Sequence, residues 1–219
     1  MKHNSRLVWY ASFGSNLFRD RFMCYITGGQ PEGSNRSEVG CRDHTLPRET
    51  RAVSLPYGLY FSGYSDRWDG AAAYIDTTQD DENHSWARMY LITEEQFEDV
   101  VRQENGIEEL EVNIDDIMEK GNVMVQDSPY GNLIYAGEED GYPIFTFTSP
   151  KAMRDRETNQ PSLRYLTMLV RGYMEAHTED PVKITNYLME KPGIKEHYSY
   201  HELLAFAEDL LSSASVSSE

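Results

Sequence analysis

The chain of 219 residues is the length of one domain, and a content of 39% hydrophobic and 12% aromatic residues is enough to fill a core. A net charge of −17 with no localised basic patch opposes binding to nucleic acid. Two cysteines, no run approaching the ~20 apolar residues of a bilayer span, and too few apolar residues before Ser12 for a signal sequence point to a soluble, cytoplasmic chain with no disulfide framework.

Leu7 to Phe13 reads as a buried strand that ends at Gly14. Leu17, Phe18, Phe22, Met23, Tyr25 and Ile26 then fall at helical spacing, with Asn16 or Ser15 as the N-cap and Gly28-Gly29 as the stop. Gln30 to Thr50 is a surface loop or irregular crossing. Strands are predicted over Arg51 to Tyr64, Gly70 to Asp76 and Ser85 to Ile92. Thr93-Glu94-Glu95-Gln96 is a capping box, and the helix it opens runs to about Glu104, with Gly106 placed to end it.

The acidic stretch from Ile107 to Gly121 accommodates a helix over Ile114 to Glu119. Strands follow at Val123 to Val125, Asn132 to Gly137 and Gly141 to Thr148. Pro161 to Ala176 is a helix with Leu163, Leu166, Leu169, Val170 and Tyr173 on one side. Asp180-Pro181 caps a helix over Val182 to Glu190, and His201 to Leu211 is a last amphipathic helix. Ser212 to Glu219 reads as a disordered tail. No repeat or shift of composition divides the chain, which makes it one α+β domain.

Within the capping-box helix, Phe97, Val100 and Val101 define an apolar stripe at ~100° per residue, and Glu104 falls in its middle. Glu95, Glu98, Asp99 and Arg102 take the opposite side. A carboxyl group facing the interior at a helix C-terminus has its pKa raised both by lost hydration and by the helix dipole, which suits a general acid–base. The same position suits a side chain that snorkels out, or one that pairs with a buried Arg. The corner after Gly14 aims backbone N–H groups at one point, as an anion or oxyanion site requires, and as an ordinary capping turn also does.

Other constellations are weaker. Phe13-Gly14-Ser15-Asn16-Leu17 lacks the spacing of a nucleophile elbow, and the acidic runs lack the spacing of a calcium loop. His197 and His201 could share a metal at i and i+4, but no third ligand joins them, so neither a metal nor a cofactor is expected.

Five stretches occur in one order: Tyr10-x-x-Phe13-Gly14-Ser15-Asn16-Leu17, Ser65-x-x-Trp68-x-Gly70-Ala71-x-Ala73, Ser85-Trp86-Ala87-Arg88-Met89-Tyr90, Gln103-Glu104-x-Gly106 and Pro161-Ser162-x-x-Tyr165. Together they resemble the γ-glutamylcyclotransferase-like family over residues 8 to about 175. The resemblance implies a small mixed β-barrel with surrounding helices and a cavity at one end. It implies a single domain over 1–211, with core motifs in 7–175, extra C-terminal helices in 180–211 and the tail at 212–219. By the same resemblance Phe13, Gly14, Ser15, Asn16 and Leu17 hold a γ-glutamyl group, Glu104 is the acid–base, and Tyr165 lines the pocket.

The chain departs from the family in having Phe13 where a tyrosine is usual and Asn105 between the glutamate and its glycine. The implied activity is conversion of a γ-glutamyl amide to 5-oxoproline and a free amine by intramolecular aminolysis, on a small molecule, with no nucleic-acid or membrane partner. A non-catalytic binding protein with the same cavity, or an enzyme for another γ-glutamylated metabolite, fits the same motifs. The leaving amine and the role of the acidic insert at 107–130 stay open.

Overall fold

Strand β1 (Leu7–Ser12) is buried at every position, as an unbroken apolar run must be when both its faces are covered. In the computed structural model, which describes residues 6–32, 34 and 36–216, β1 lies inside a six-stranded sheet. The other members are β2 (Glu49–Leu55), β5 (Ser85–Thr93), β6 (Asn122–Met124), β7 (Asn132–Glu139) and β8 (Tyr142–Thr148), in the order β2-β5-β1-β8-β7-β6. Among the described residues only the β1–β8 pair of this sheet is parallel. The hairpin of β3 (Tyr57–Ser65) and β4 (Gly70–Gln79) forms a second sheet.

Alternation along β1 divides the core. Val8 and Tyr10 point to the face covered by α1 (Arg19–Thr27), α2 (Glu94–Asn105) and α3 (Ile114–Lys120). Leu7, Trp9 and Ala11 point to the face covered by the hairpin and by α4 (Leu163–Ala176), α5 (Pro181–Met189) and α6 (Tyr200–Val216).

The expected barrel is not closed, because the two sheets share no ladder among the described residues. Between β4 and β8 a single side chain replaces the ladder: Thr148 Oγ1 accepts from the Ile75 N–H (3.2 Å) and donates to the Ile75 carbonyl (2.7 Å). Two residues along, the Ala73 N–H donates to the Tyr165 hydroxyl (3.1 Å) and the Ala73 carbonyl accepts from Tyr130 (3.1 Å). At Ala73 and Ile75 the outward edge of β4 is therefore satisfied by hydroxyls, and the sheets stay distinct.

Four local expectations are corrected. The strand predicted over Arg51 to Tyr64 breaks at Pro56, which has no N–H to donate, and its halves join different sheets. Asp99, expected on the solvent side of α2, is 3% exposed. It accepts from the Arg42 backbone N–H (2.7 Å) and pairs with the guanidinium groups of Arg42 and Arg102. Leu163, expected on the buried side of α4, is instead exposed. Helix α6 continues to Val216 into the stretch expected as a tail, and Ser212 and Ser213 donate to the carbonyls of Glu208 and Asp209. Residues 217–219 lie outside the described residues.

Candidate active site

The corner after β1 is a tight 3-10 turn, Ser15–Leu17, closed by the Leu17 N–H to the Gly14 carbonyl (2.9 Å) and by the Phe18 N–H to the Ser15 carbonyl (3.3 Å). That pattern leaves the first amides of the turn without an intrahelical acceptor. A Cβ on Gly14 would stand 3.2 Å from the Tyr165 hydroxyl, so glycine lets the backbone approach that ring. From the β5 side, the Tyr90 hydroxyl donates to the Asn16 carbonyl (2.8 Å).

Neither Asn16 nor Ser15 caps α1. Phe18 occupies the N-cap position without a side-chain bond. The Asn16 side chain is committed elsewhere: its Nδ2 donates to Glu104 Oε1 at 2.9 Å, across 88 residues of sequence. Among the described residues, the buried Oδ1 of Asn16 has no hydrogen-bond partner.

Glu104 sits in the last turn of α2, which Gly106 ends in the left-handed conformation (φ 62°). Its carboxyl group is half-buried and faces a cavity, so it does not snorkel into bulk water. Burial raises its pKa above the model-compound value of 4.5; the Arg21 charge and the Tyr25 hydroxyl oppose that shift, Glu38 adds to it, and Arg67 opposes it again. Asn105 has a structural task. Its Nδ2 donates to the carbonyls of Val101 (2.9 Å) and Tyr130 (3.2 Å), and its Oδ1 accepts from Ser128 (2.5 Å). The end of the acidic insert is thereby tied to the end of α2, and the insert supplies Tyr130 as a cavity wall.

Beneath the corner lies a group that local reading of the sequence missed. Arg21 of α1 is 2% exposed, and its Nη1 is 2.9 Å from Glu38 Oε1. Its Nη2 donates to the Tyr25 hydroxyl (3.1 Å), and its guanidinium lies 4.5 Å from the Tyr25 ring centre. Arg67, on the β3–β4 turn, pairs with the same Glu38 oxygen. Tyr25 follows Arg21 by one helical turn, which is the one trace of this cluster in the sequence. Glu38 and Arg67 come from an irregular crossing and a turn, where no periodicity reports burial.

These elements enclose a cavity of about 430 Å³. Of the expected residues, Phe13, Gly14, Ser15, Asn16, Glu104 and Tyr165 line it together. Leu17 does not: its side chain is fully buried in the core against α4. His197 and His201 are both exposed, and among the described residues no group of three His, Cys, Asp or Glu is placed to hold a metal. None of the described helices is long and apolar enough to cross a membrane.

No family model matches the chain. A curated protein of Arabidopsis thaliana named histone deacetylase 5 is 34% identical over 190 residues, which is 77% of this chain and 28% of that protein. The chain thus spans little more than a quarter of that relative's length. A solved structure named gamma-glutamyl cyclotransferase superposes with a TM-score of 0.50 at 14% identity, covering 95% of this chain and 99% of its own. The structure of an uncharacterised Homo sapiens protein gives the same TM-score and identity, over 91% and 99%. At that identity the two likenesses establish the fold, which is γ-glutamylcyclotransferase-like.

Proposed function

We propose that this chain converts a γ-glutamyl amide into 5-oxoproline and a free amine. The observation that carries the reading is the 2.9 Å hydrogen bond between Asn16 and Glu104, which joins the main-chain corner and the perturbed acid in one cavity wall. The fold and the order of the five motifs support the same reading. The name of the longer plant relative belongs to that whole protein and is not carried to this cavity.

The reaction needs no protein nucleophile, because the substrate's own α-amine is tethered to the carbonyl it attacks. Glu104 takes a proton from the α-ammonium, and the freed amine forms a C–N bond at the γ-carbon. The oxyanion is held by the first amides of the corner turn. The bond to the departing nitrogen then breaks as Glu104 returns the proton to it, and the extra proton on the ring nitrogen passes through the freed carboxylate to the released amine, which leaves as an ammonium ion. Asn16 keeps the carboxylate aimed at the corner.

Incubation with a panel of γ-glutamyl amino acids and amines, followed by mass spectrometry, is expected to release 5-oxoproline from at least one member. Saturable binding with no release across the panel overturns the reading in favour of a binding protein. Asn16→Ala is expected to lower kcat by roughly 10- to 100-fold, the loss of one hydrogen bond to a charged group. Activity requires ionised Glu104 and rises with pH through its elevated pKa. Losing a bond to the charged form moves that acid limb higher still in the variant, and an unmoved limb excludes this role for Asn16.

A further inference from the structure

A second hollow of about 480 Å³, no smaller than the first cavity, adjoins it. Two segments serve both. The end of β3 gives Ser62 and Gly63 to the hollow and Tyr64 and Ser65 to the cavity, and the end of the acidic insert lines both at Pro129. The remaining wall is the segment that leaves β8 for α4. That segment is pinned to β3. Ser62 Oγ donates to the Glu157 carbonyl (2.6 Å), the Asn159 N–H to the Phe61 carbonyl (3.1 Å), and Asn159 Nδ2 to the Gly63 carbonyl (3.3 Å).

Arg156 is the half-buried charge on this lining. Its Nε donates to Ser62 Oγ (3.1 Å), and its guanidinium lies 4.0 Å from the ring centre of Tyr74, which lines the first cavity. A Cβ on Gly63 would stand 3.3 Å from Nη2, so glycine leaves room for the group. Asp155 and Glu157 flank Arg156 in sequence, yet among the described residues it forms no ion pair with either; Asp155 lies 3.9 Å from Arg154 instead. By contrast, Arg42 and Arg51 each reach three carboxylates. A guanidinium held in place on a concave wall and left without a carboxylate can take one from a ligand, through paired N–H donors.

The charges around Arg156 have both signs. Lys151 adds a second cation, and Asp127, Asp155 and Glu157 are exposed on the same lining. A ligand with only a negative charge meets those three acids, and one with only a positive charge meets Arg156. A ligand that carries a carboxylate and an ammonium answers both. Exposed acids hold a ligand weakly, so their effect is to select among the carboxylates that Arg156 attracts.

We propose that this hollow binds an amino-carboxylate zwitterion, a free amino acid or a short peptide, with its carboxylate on Arg156 and Lys151 and its ammonium facing Asp127, Asp155 and Glu157. The volume is in the range of small-molecule sites. The site is distinct from Glu104 and does not depend on the cyclisation.

Calorimetry with L-alanine, L-alanyl-L-alanine, propionate and ethylamine tests this. Saturable binding with a Kd of about 1 mM or tighter is expected for at least one of the two zwitterions, and for neither propionate nor ethylamine. Which zwitterion binds distinguishes the free amino acid from the peptide. Arg156→Gln is expected to weaken that binding about 10-fold or more, the loss of hydrogen bonds to a charged group, and Arg156→Lys to recover part of it. Lys151→Gln, at an exposed position, is expected to weaken it several-fold; it keeps the test decisive if circular dichroism shows that the Arg156 variants do not fold. Glu104→Gln is expected to bind as the parent does.

Propionate binding as tightly as the zwitterions makes the hollow a plain anion site and overturns the proposal. Zwitterion binding that Arg156→Gln and Lys151→Gln leave unchanged, or that Glu104→Gln abolishes, places the ligand elsewhere and overturns it too. No saturable binding by any of the four probes ends it outright. None of these readouts involves turnover, so the cyclisation stands or falls on its own test.

Discussion

Glu104→Gln is expected to abolish 5-oxoproline formation and to leave the fold intact. Glutamine keeps the length of the side chain and can still present an oxygen to Asn16 Nδ2, so the 2.9 Å bond has a neutral equivalent. What disappears is a group able to accept and return a proton, and with it about 10²- to 10⁴-fold in rate. The stability effect has the opposite sign. Burial raises the folded-state pKa of Glu104 above 4.5, so between the unfolded and folded values the native state binds more protons. Stability contributed there is lost as pH rises, and at neutral pH the enclosed charge is a cost that Gln removes. The variant's melting temperature at pH 7 should match or exceed that of the parent, with a flatter dependence on pH above 4.5. A fully active variant removes Glu104 from the mechanism.

Gly172→Ala is expected to damage stability and activity together, although alanine is the better helix former by about 1 kcal/mol. The added Cβ would stand 2.5 Å from Leu17 Cβ and 2.7 Å from both the Leu17 carbonyl carbon and the Phe18 nitrogen. Two of the three contacts are backbone, which cannot rotate away, so either α4 or the corner must shift. Overpacking of this kind typically costs 1–3 kcal/mol, and the net loss should be visible in a urea titration as a lower midpoint with an unchanged slope. The corner carries Asn16, and a displacement of about 1 Å at a reacting centre can cost about 10²-fold. Loss of turnover under conditions where the variant is fully folded would separate the shifted corner from simple instability. Retention of full activity would show that α4 yields instead.

Local signals carried much of this fold. The capping box at Thr93 and the left-handed glycine at Gly106 set α2 in place, and periodicity put Glu104 on its inner side. Asp99 escaped the same periodicity because its burial depends on Arg42, 57 residues away. The corner was readable as a corner, but its composition suggested a cap, while the structure turns Asn16 towards Glu104. Arg21 was invisible for a related reason: a charged residue beside an apolar stripe is ordinarily solvated, and its burial depends on Glu38 from the crossing segment as well as on Tyr25. The separation of the two sheets could not be foreseen either, because the β4 edge is taken by hydroxyls of Thr148, Tyr130 and Tyr165 that arrive there only in three dimensions.

Those hydroxyls bear on more than the site. A strand flank with unpaired amides and carbonyls is a template on which a neighbouring molecule can grow its own strand. In β4 the groups at Ala73 and Ile75 are occupied by Tyr165, Tyr130 and Thr148, so that template is blocked within the monomer. Two of the three blockers also line the cavity. Reshaping the pocket at Tyr130 or Tyr165 for a different ligand therefore uncovers a seed for self-association, and solubility constrains how far this wall can drift in specificity.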